Sequence, residues 1–238
     1  MKLMFIDETG DEKFKDYLGL CIAITDSKFY PLLKQQTLKI LTDAGWGADA
    51  EFKGRYLFSA TSGVTEVEVQ QRVVTAHRLL DLNASEKKGR LRFTYARMNS
   101  FKKANDYLTA IPELLKIRKV LPKAPKGAGK NLISVTCDHR DDVRSDDLHR
   151  AIGPVLEESG YVILERVQQV TSAPEAVGLM FADLVAYLMG RVDAISNDSE
   201  FFAGLDQTQL AASGKVRKLQ SSTELVNKIK NLDLFIRE

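Results

Sequence analysis

Apolar residues change their spacing several times along the chain, and each change predicts an element. Lys2 to Asp7 is a short apolar run ending in a carboxylate; Tyr17 to Thr25 is a second, rich in Leu, Ile and Cys, after the turn-like Thr9-Gly10-Asp11. Together they predict two strands in a hairpin-like pair. From Ser27 to Ala44 the apolar positions, Phe29, Leu32, Leu33, Ile40 and Leu41 among them, recur with a helical period and stop at Gly45-Trp46-Gly47. Glu66 to Leu82 repeats that period, with Val67, Val73, Val74, Leu79 and Leu80 on the apolar side. Arg90 to Met98 instead sets Leu91, Phe93 and Tyr95 against Arg92, Thr94 and Arg97, the alternation of a strand with one polar face.

Further along, a helix is expected over Lys102 to Val120, interrupted near Pro112, and then a Pro/Gly/Lys loop from Pro122 to Lys130. Leu132 to Cys137 is the compact apolar run of an inner strand, and it too ends in a carboxylate, Asp138. Ser145 to Glu158 reads as a helix and Tyr161 to Val170 as a strand. Ala176 to Met189, Ser199 to Ala212 and Ser222 to Phe235 read as closing helices, the last opened by a capping-type Ser-Ser-Thr-Glu. Strands first, strands interleaved with helices next and helices last predict an α/β fold with a mixed sheet flanked by helices. The expected organisation is one α/β domain over residues 1–190, with a helical extension over residues 191–238 packed on it.

Composition narrows the class. With 44% hydrophobic and 28% charged residues the chain has an ordinary globular make-up, which excludes disorder and fibres. Its two cysteines, Cys21 and Cys137, each stand inside an apolar stretch and read as buried thiols of a reducing compartment. The opening MKLMFIDETG lacks the apolar stretch of about 7–15 residues that a secretory signal needs, so a cytoplasmic location is expected. Val177 to Met189 falls short of the roughly 20 residues of a spanning helix, and no membrane association is expected.

Charge changes the picture more. The net charge is only +2, yet residues 85–130 hold thirteen Lys or Arg against three acids, so the remainder is acidic. A polyanion-binding enzyme with a carboxylate cluster has this division, and so does a solvated surface of uneven charge. Within the segment Lys102, Lys103, Lys119, Lys123, Lys126 and Lys130 are the candidate contacts to a nucleic-acid backbone.

The acids carry the candidate chemistry. Asp7 and Asp138 each follow an apolar run at a strand end, where α/β sheets commonly place active-site groups; taken singly, each is also an ordinary turn or capping residue. Asp183 is sharper, being the only charged residue from Ala176 to Gly190, in a helix apolar all round and therefore buried. A buried carboxylate left alone is costly, so Asp183 needs a partner: an Arg, a backbone group or a metal ion. Glu51, in Glu51-Phe52-Lys53-Gly54, is a fourth acid between two helices. Carboxylate oxygens suit Mg²⁺ or Mn²⁺ rather than zinc, and two such ions can activate water and stabilise the leaving oxygen in phosphodiester hydrolysis.

Four blocks carry a family resemblance: Phe5-Ile6-Asp7-Glu8-Thr9-Gly10, Glu51-Phe52-Lys53-Gly54, Val135-Thr136-Cys137-Asp138, and Gly178 through Tyr187 around Asp183. Over residues 1–190 the chain resembles the bacterial family called domain of unknown function 3800. Thr9 stands where that family usually has Ser, and Met180 where it often has Gln. The resemblance implies a ribonuclease H-like fold whose acids on the first strand, a central strand and a late helix bind two divalent cations. By position it assigns that role to Asp7, Glu51, Asp138 and Asp183.

Other residues offer less. His77, His139 and His149 lack the spacing of a zinc pair, although His139 beside Asp138 could donate a proton. Asp141, Asp142, Asp146 and Asp147 could supply a ligand, but capping by Ser145, Asp146 and Asp147 explains that cluster better. Trp46 reads as a loop anchor, and neither a Walker loop nor a GxSxG elbow is present. The expected function is a nuclease acting through two Mg²⁺ or Mn²⁺ ions. A binding module with structural carboxylates and a small-molecule phosphohydrolase are the alternatives. DNA and RNA stay equally open as partners, and the helices after residue 190 can be a lid, a homodimer arm or simple packing.

Overall fold

A computed structural model describes residues 1–10, 18–47, 49–59, 67–84, 91–98, 104–118, 121, 131–171, 174–196, 223–229 and 235–237. The predicted hairpin-like pair is present: β1 (Lys2–Gly10) lies antiparallel to β2 (Leu18–Asp26), with Asp7 opposite Cys21. β3 (Arg92–Met98) continues the meander antiparallel to β2. On the other side of β1 lies β4 (Asn131–Asp138), parallel to it, with Ile6 opposite Cys137. The predicted strand from Tyr161 to Val170 is two short strands, β5 (Tyr161–Ile163) and β6 (Gln168–Val170), both parallel to β4 along successive parts of its length. Between them the charged Glu165 and Arg166 turn to solvent while Val167 is buried, and this bend breaks the pleat. The sheet is therefore mixed, with the order β5-β4-β1-β2-β3-β7, where β7 is Phe235–Arg237.

Helices cover both faces. On one, α3 (Ala104–Arg118) and α4 (Ser145–Glu158) cover Met4, Ile6, Ile22, Val135 and Cys137. Leu148, Ile152, Val155 and Leu156 form one stripe of α4, and burying each is worth about 1.5–3 kcal/mol. On the other face α5 (Val177–Ser196) lies against β1 and β2, in one core with α1 (Tyr30–Asp43) and α2 (Val69–Ala84). The Gly178 backbone rests on the Phe5 ring, where a Cβ would collide, and this closeness sets α5 directly on the first strand.

Several expectations need correction. α3 runs unbroken through Pro112: its buried Tyr107, Ile111, Leu114 and Leu115 hold it to the sheet, so the missing N–H does not end it. Arg144, with extended backbone, is the residue that precedes α4, and no side chain caps it; Asp146 and Asp147 lie in the first turn, where the helix dipole favours them. Residues 223–229 are helical and place Leu225, Val226 and Ile229 in the α5-side core, but Phe235–Arg237 is a strand parallel to β3 and not a helical end. The expected helix over 199–212 and all six candidate lysines, Lys102, Lys103, Lys119, Lys123, Lys126 and Lys130, lie outside the described residues. Among the described residues no helix is long and apolar enough to cross a membrane.

Candidate active site

The pleat decides which acids can meet. Along β1 Met4 and Ile6 point to the α3 and α4 side, so Phe5 and Asp7 point to α5. Along β4 Val135 and Cys137 share the side of Ile6, which turns Asp138 toward α5 as well. Asp7 and Asp138 each follow the last residue pair between these parallel strands, Ile6 and Cys137; Asp138 ends β4 as expected, whereas β1 does not end at Asp7 but runs on to Gly10, held by its pairing with β2. Asp183 reaches them from α5.

Asp7 is 5% exposed and accepts the Glu8 backbone N–H on Oδ1 at 2.7 Å. Burial first, then the charges of Asp183, Asp138 and Glu8, hold its carboxyl well above the ordinary range. Asp183 finds the partner that the sequence required in a backbone group: the Gly54 N–H donates to its Oδ2 at 2.5 Å. Asp183 is pushed up to about 6, first by burial and in part by Glu51 and Asp138, against the downward pull of the Gly54 bond and Lys53. Asp7, Glu51, Asp138 and Asp183, scattered over the sequence, therefore act on one another through space. Among the described residues, however, no three His, Cys, Asp or Glu side chains stand close enough to share one ion.

The loop carrying Glu51 is fixed from several sides. Trp46, 5% exposed, packs on Phe52 with ring centroids 4.8 Å apart and donates its indole N–H to the Ala50 carbonyl, the anchoring role expected of it. Arg72 is buried at the start of α2 and donates to the carbonyls of Val67, Tyr56 and Ser59 at 2.6–2.7 Å. A 3-10 turn over Gly54–Tyr56 then presses Gly54 against Tyr187 of α5 with no room for a Cβ. Gly54 can therefore offer its N–H to Asp183, one helical turn before Tyr187.

Sequence reasoning did not single out Lys53, Glu8 or Arg140. Lys53 Nζ lies 3.5 Å from Glu51 Oε2. Burial works against its charge, but Glu51, Asp138, Asp183 and Asp7 outweigh that and hold it above its ordinary value. Glu8 projects to the opposite face from Asp7, where Arg140 Nη1 binds its Oε1 at 2.8 Å and lies over the Tyr107 ring. Burial raises the Glu8 carboxyl more than Arg140 lowers it. The Asp7-Glu8 doublet was the available signal, since adjacent acids on a strand must serve two faces. His139 pairs with Asp141 at 3.1 Å on the exposed turn after β4. Asp142, Asp146 and Asp147 form ion pairs with Arg140, Arg166, and Arg144 and Arg150.

A pH prediction follows from Asp183. Because its proton binds more tightly in the folded chain, ionising it costs stability fully above pH of about 6 and not at all below about 4. At ~1.4 kcal/mol per tenfold change in proton affinity, the cost is about 2–3 kcal/mol. Asp183→Asn, whose amide oxygen still accepts from Gly54, is expected to be more stable than wild type at pH 7.5 without metal. The gap should close between about pH 6 and pH 4 in thermal unfolding; a constant gap would mean that the Asp183 charge is not strained.

No protein-family profile matches the chain, and no curated protein matches it. Solved structures do. A structure of the PCNA:RNase HII complex from Archaeoglobus fulgidus matches at 13% identity over 96% of this chain and 91% of that one, with a TM-score of 0.46. Ribonuclease H2 from Pyrococcus horikoshii OT3 matches at 11% identity over 97% and 99%, with a TM-score of 0.47. A point mutant of Bst-RNase HIII matches at 11% over 97% and 70%, with a TM-score of 0.41. At these identities and scores they are likenesses in the course of the chain.

Proposed function

We propose that this protein is a divalent-metal-dependent nuclease of the ribonuclease H-like kind, related to domain of unknown function 3800, that hydrolyses phosphodiester bonds in nucleic acid. The observation that carries the reading is the convergence of Asp7, Asp138 and Asp183 from two adjacent parallel strands and a helix, with Asp7 and Asp183 both driven up by burial and by neighbouring acids. Such crowding costs stability, and a cation would remove that cost. The donor set is all carboxylate, the ligand type of Mg²⁺ and Mn²⁺. Asp7, Glu51, Asp138 and Asp183 would hold the ions. Bound there, two such ions would supply an activated water and charge stabilisation for the leaving oxygen.

The chain's own residues do the rest. The adjacent parallel strands β1 and β4 fix where Asp7 and Asp138 start, and Gly54 fixes the rotation of Asp183. The lysines between residues 102 and 130 would hold the polyanion, giving binding that weakens with salt. The test is an assay of labelled DNA, RNA and hybrid duplexes with Mg²⁺, Mn²⁺ or chelator. Metal-dependent cleavage of one or more polymers that chelator stops supports the reading. Phosphate release from mononucleotides with no polymer cut would make it a phosphohydrolase, and retention of nucleic acid without cleavage would make it a binding module.

A further inference from the structure

We propose that Lys53 is an exchangeable counter-ion of the acidic cluster, holding Glu51 in the metal-free protein and giving it up when a divalent cation binds. The inference rests on the metal-binding reading above. Among the described residues, Asp7, Glu51, Asp138 and Asp183 make one ion pair between them, that of Glu51 with Lys53. Both side chains are 19% exposed, so the pair is partly desolvated yet open to solvent. Asp138, Asp183 and Asp7 also act on the same ammonium. One positive charge thus faces four carboxylates and cannot neutralise them.

The contact is built to exchange. At 3.5 Å it exceeds a formed hydrogen bond, and its donor is a compact ammonium rather than a guanidinium fork. The pair of Arg140 with Glu8, on the other face of the sheet, is 2.8 Å and hydrogen-bonded. The backbone beneath Lys53 is pinned on both sides, by buried Phe52 against Trp46 and by the Gly54 N–H on Asp183. The four-carbon stem can therefore swing while the loop stays in place. A cation that takes Glu51 must first displace Lys53, so the lysine sets the metal concentration at which the site fills.

The test compares Mn²⁺ binding by wild type and Lys53→Met in titration calorimetry of the full chain, with thermal unfolding of the metal-free proteins beside it. Lys53→Met is expected to bind Mn²⁺ at least about tenfold more tightly, and to unfold at a lower temperature than wild type without metal but not at saturating Mn²⁺. Equal or weaker Mn²⁺ binding by Lys53→Met, with wild type binding normally, overturns the counter-ion role and leaves the metal site standing. No binding by either protein overturns the metal reading itself. Acylation of wild-type Lys53 by an amine reagent, read by mass spectrometry, needs no variant: Mg²⁺ is expected to increase it, and unchanged or reduced labelling at saturating Mg²⁺ contradicts displacement.

Discussion

Asp7→Asn is expected to abolish hydrolysis while making the metal-free protein more stable. Asp7 is acted on by both Asp183 and Asp138, so its loss should cost more than the roughly 10–100-fold that removal of an outer partner costs at a metal site. Stability moves the other way because the Asp7 charge is opposed by burial and by three acids, and the Glu8 N–H that donates to it can bond an amide oxygen equally well. Each kcal/mol of relief raises the melting temperature of a chain this size by about 2–4 °C. A core residue replaced by a polar near-isostere would normally lower it. Opposite changes in activity and stability mark a group strained for its function. They are read in one preparation, by a cleavage assay and by thermal unfolding in chelator. An Asp7→Asn protein that unfolds several degrees below wild type would instead make Asp7 a structural residue.

Arg140→Met should be the most destabilising single change in the site region, and it acts from the far side of the sheet. Arg140 and Glu8 are 18% and 16% exposed, and their 2.8 Å bond joins the end of β1 to the turn after β4. Arg140 also binds Asp142 and covers the Tyr107 ring, while its backbone N–H donates to Gln169 Oε1 of β6. Removing the guanidinium leaves Glu8 buried without its cation, a loss of about 3–5 kcal/mol for pairs of this type. That lowers the melting temperature by on the order of 10 °C. Glu8→Gln in the Arg140→Met background should recover part of the loss, because the uncompensated charge is then gone. A loss below about 1 kcal/mol would place the pair with ordinary surface ion pairs. The same bond helps hold together the parts of β1 and β4 that carry Asp7 and Asp138, so metal affinity should fall together with stability.

How far the chain could be read depended on the range of the interactions. Asp183 stood out because nothing else from Ala176 to Gly190 is charged, and burial of that stretch followed from the same pattern. Asp7 and Asp138 were visible because each carboxylate closes an apolar run, although only Asp138 ends its strand, and the mixed α/β sheet followed from the order of elements. The partners were hidden. Gly54 and Asp183 are 129 residues apart, and Glu8 and Arg140 are 132 apart, so no local pattern ties them together. Lys53 looked like any surface lysine until the fold placed four acids around it. The split of the fifth strand and the closing strand Phe235–Arg237 depend on what β4 and β3 offer as edges, which three-residue segments cannot announce.

The central claim is that these carboxylates together bind divalent cations, and thermal unfolding under a Mn²⁺ titration tests it most directly, in wild type and Asp138→Asn. At about 100 times its dissociation constant a single bound ligand stabilises the native state by roughly 2.7 kcal/mol. Wild type should gain stability steadily with Mn²⁺ and Asp138→Asn should gain far less. A wild-type melting temperature indifferent to Mn²⁺ into the millimolar range, or an equal rise in both proteins, would contradict it.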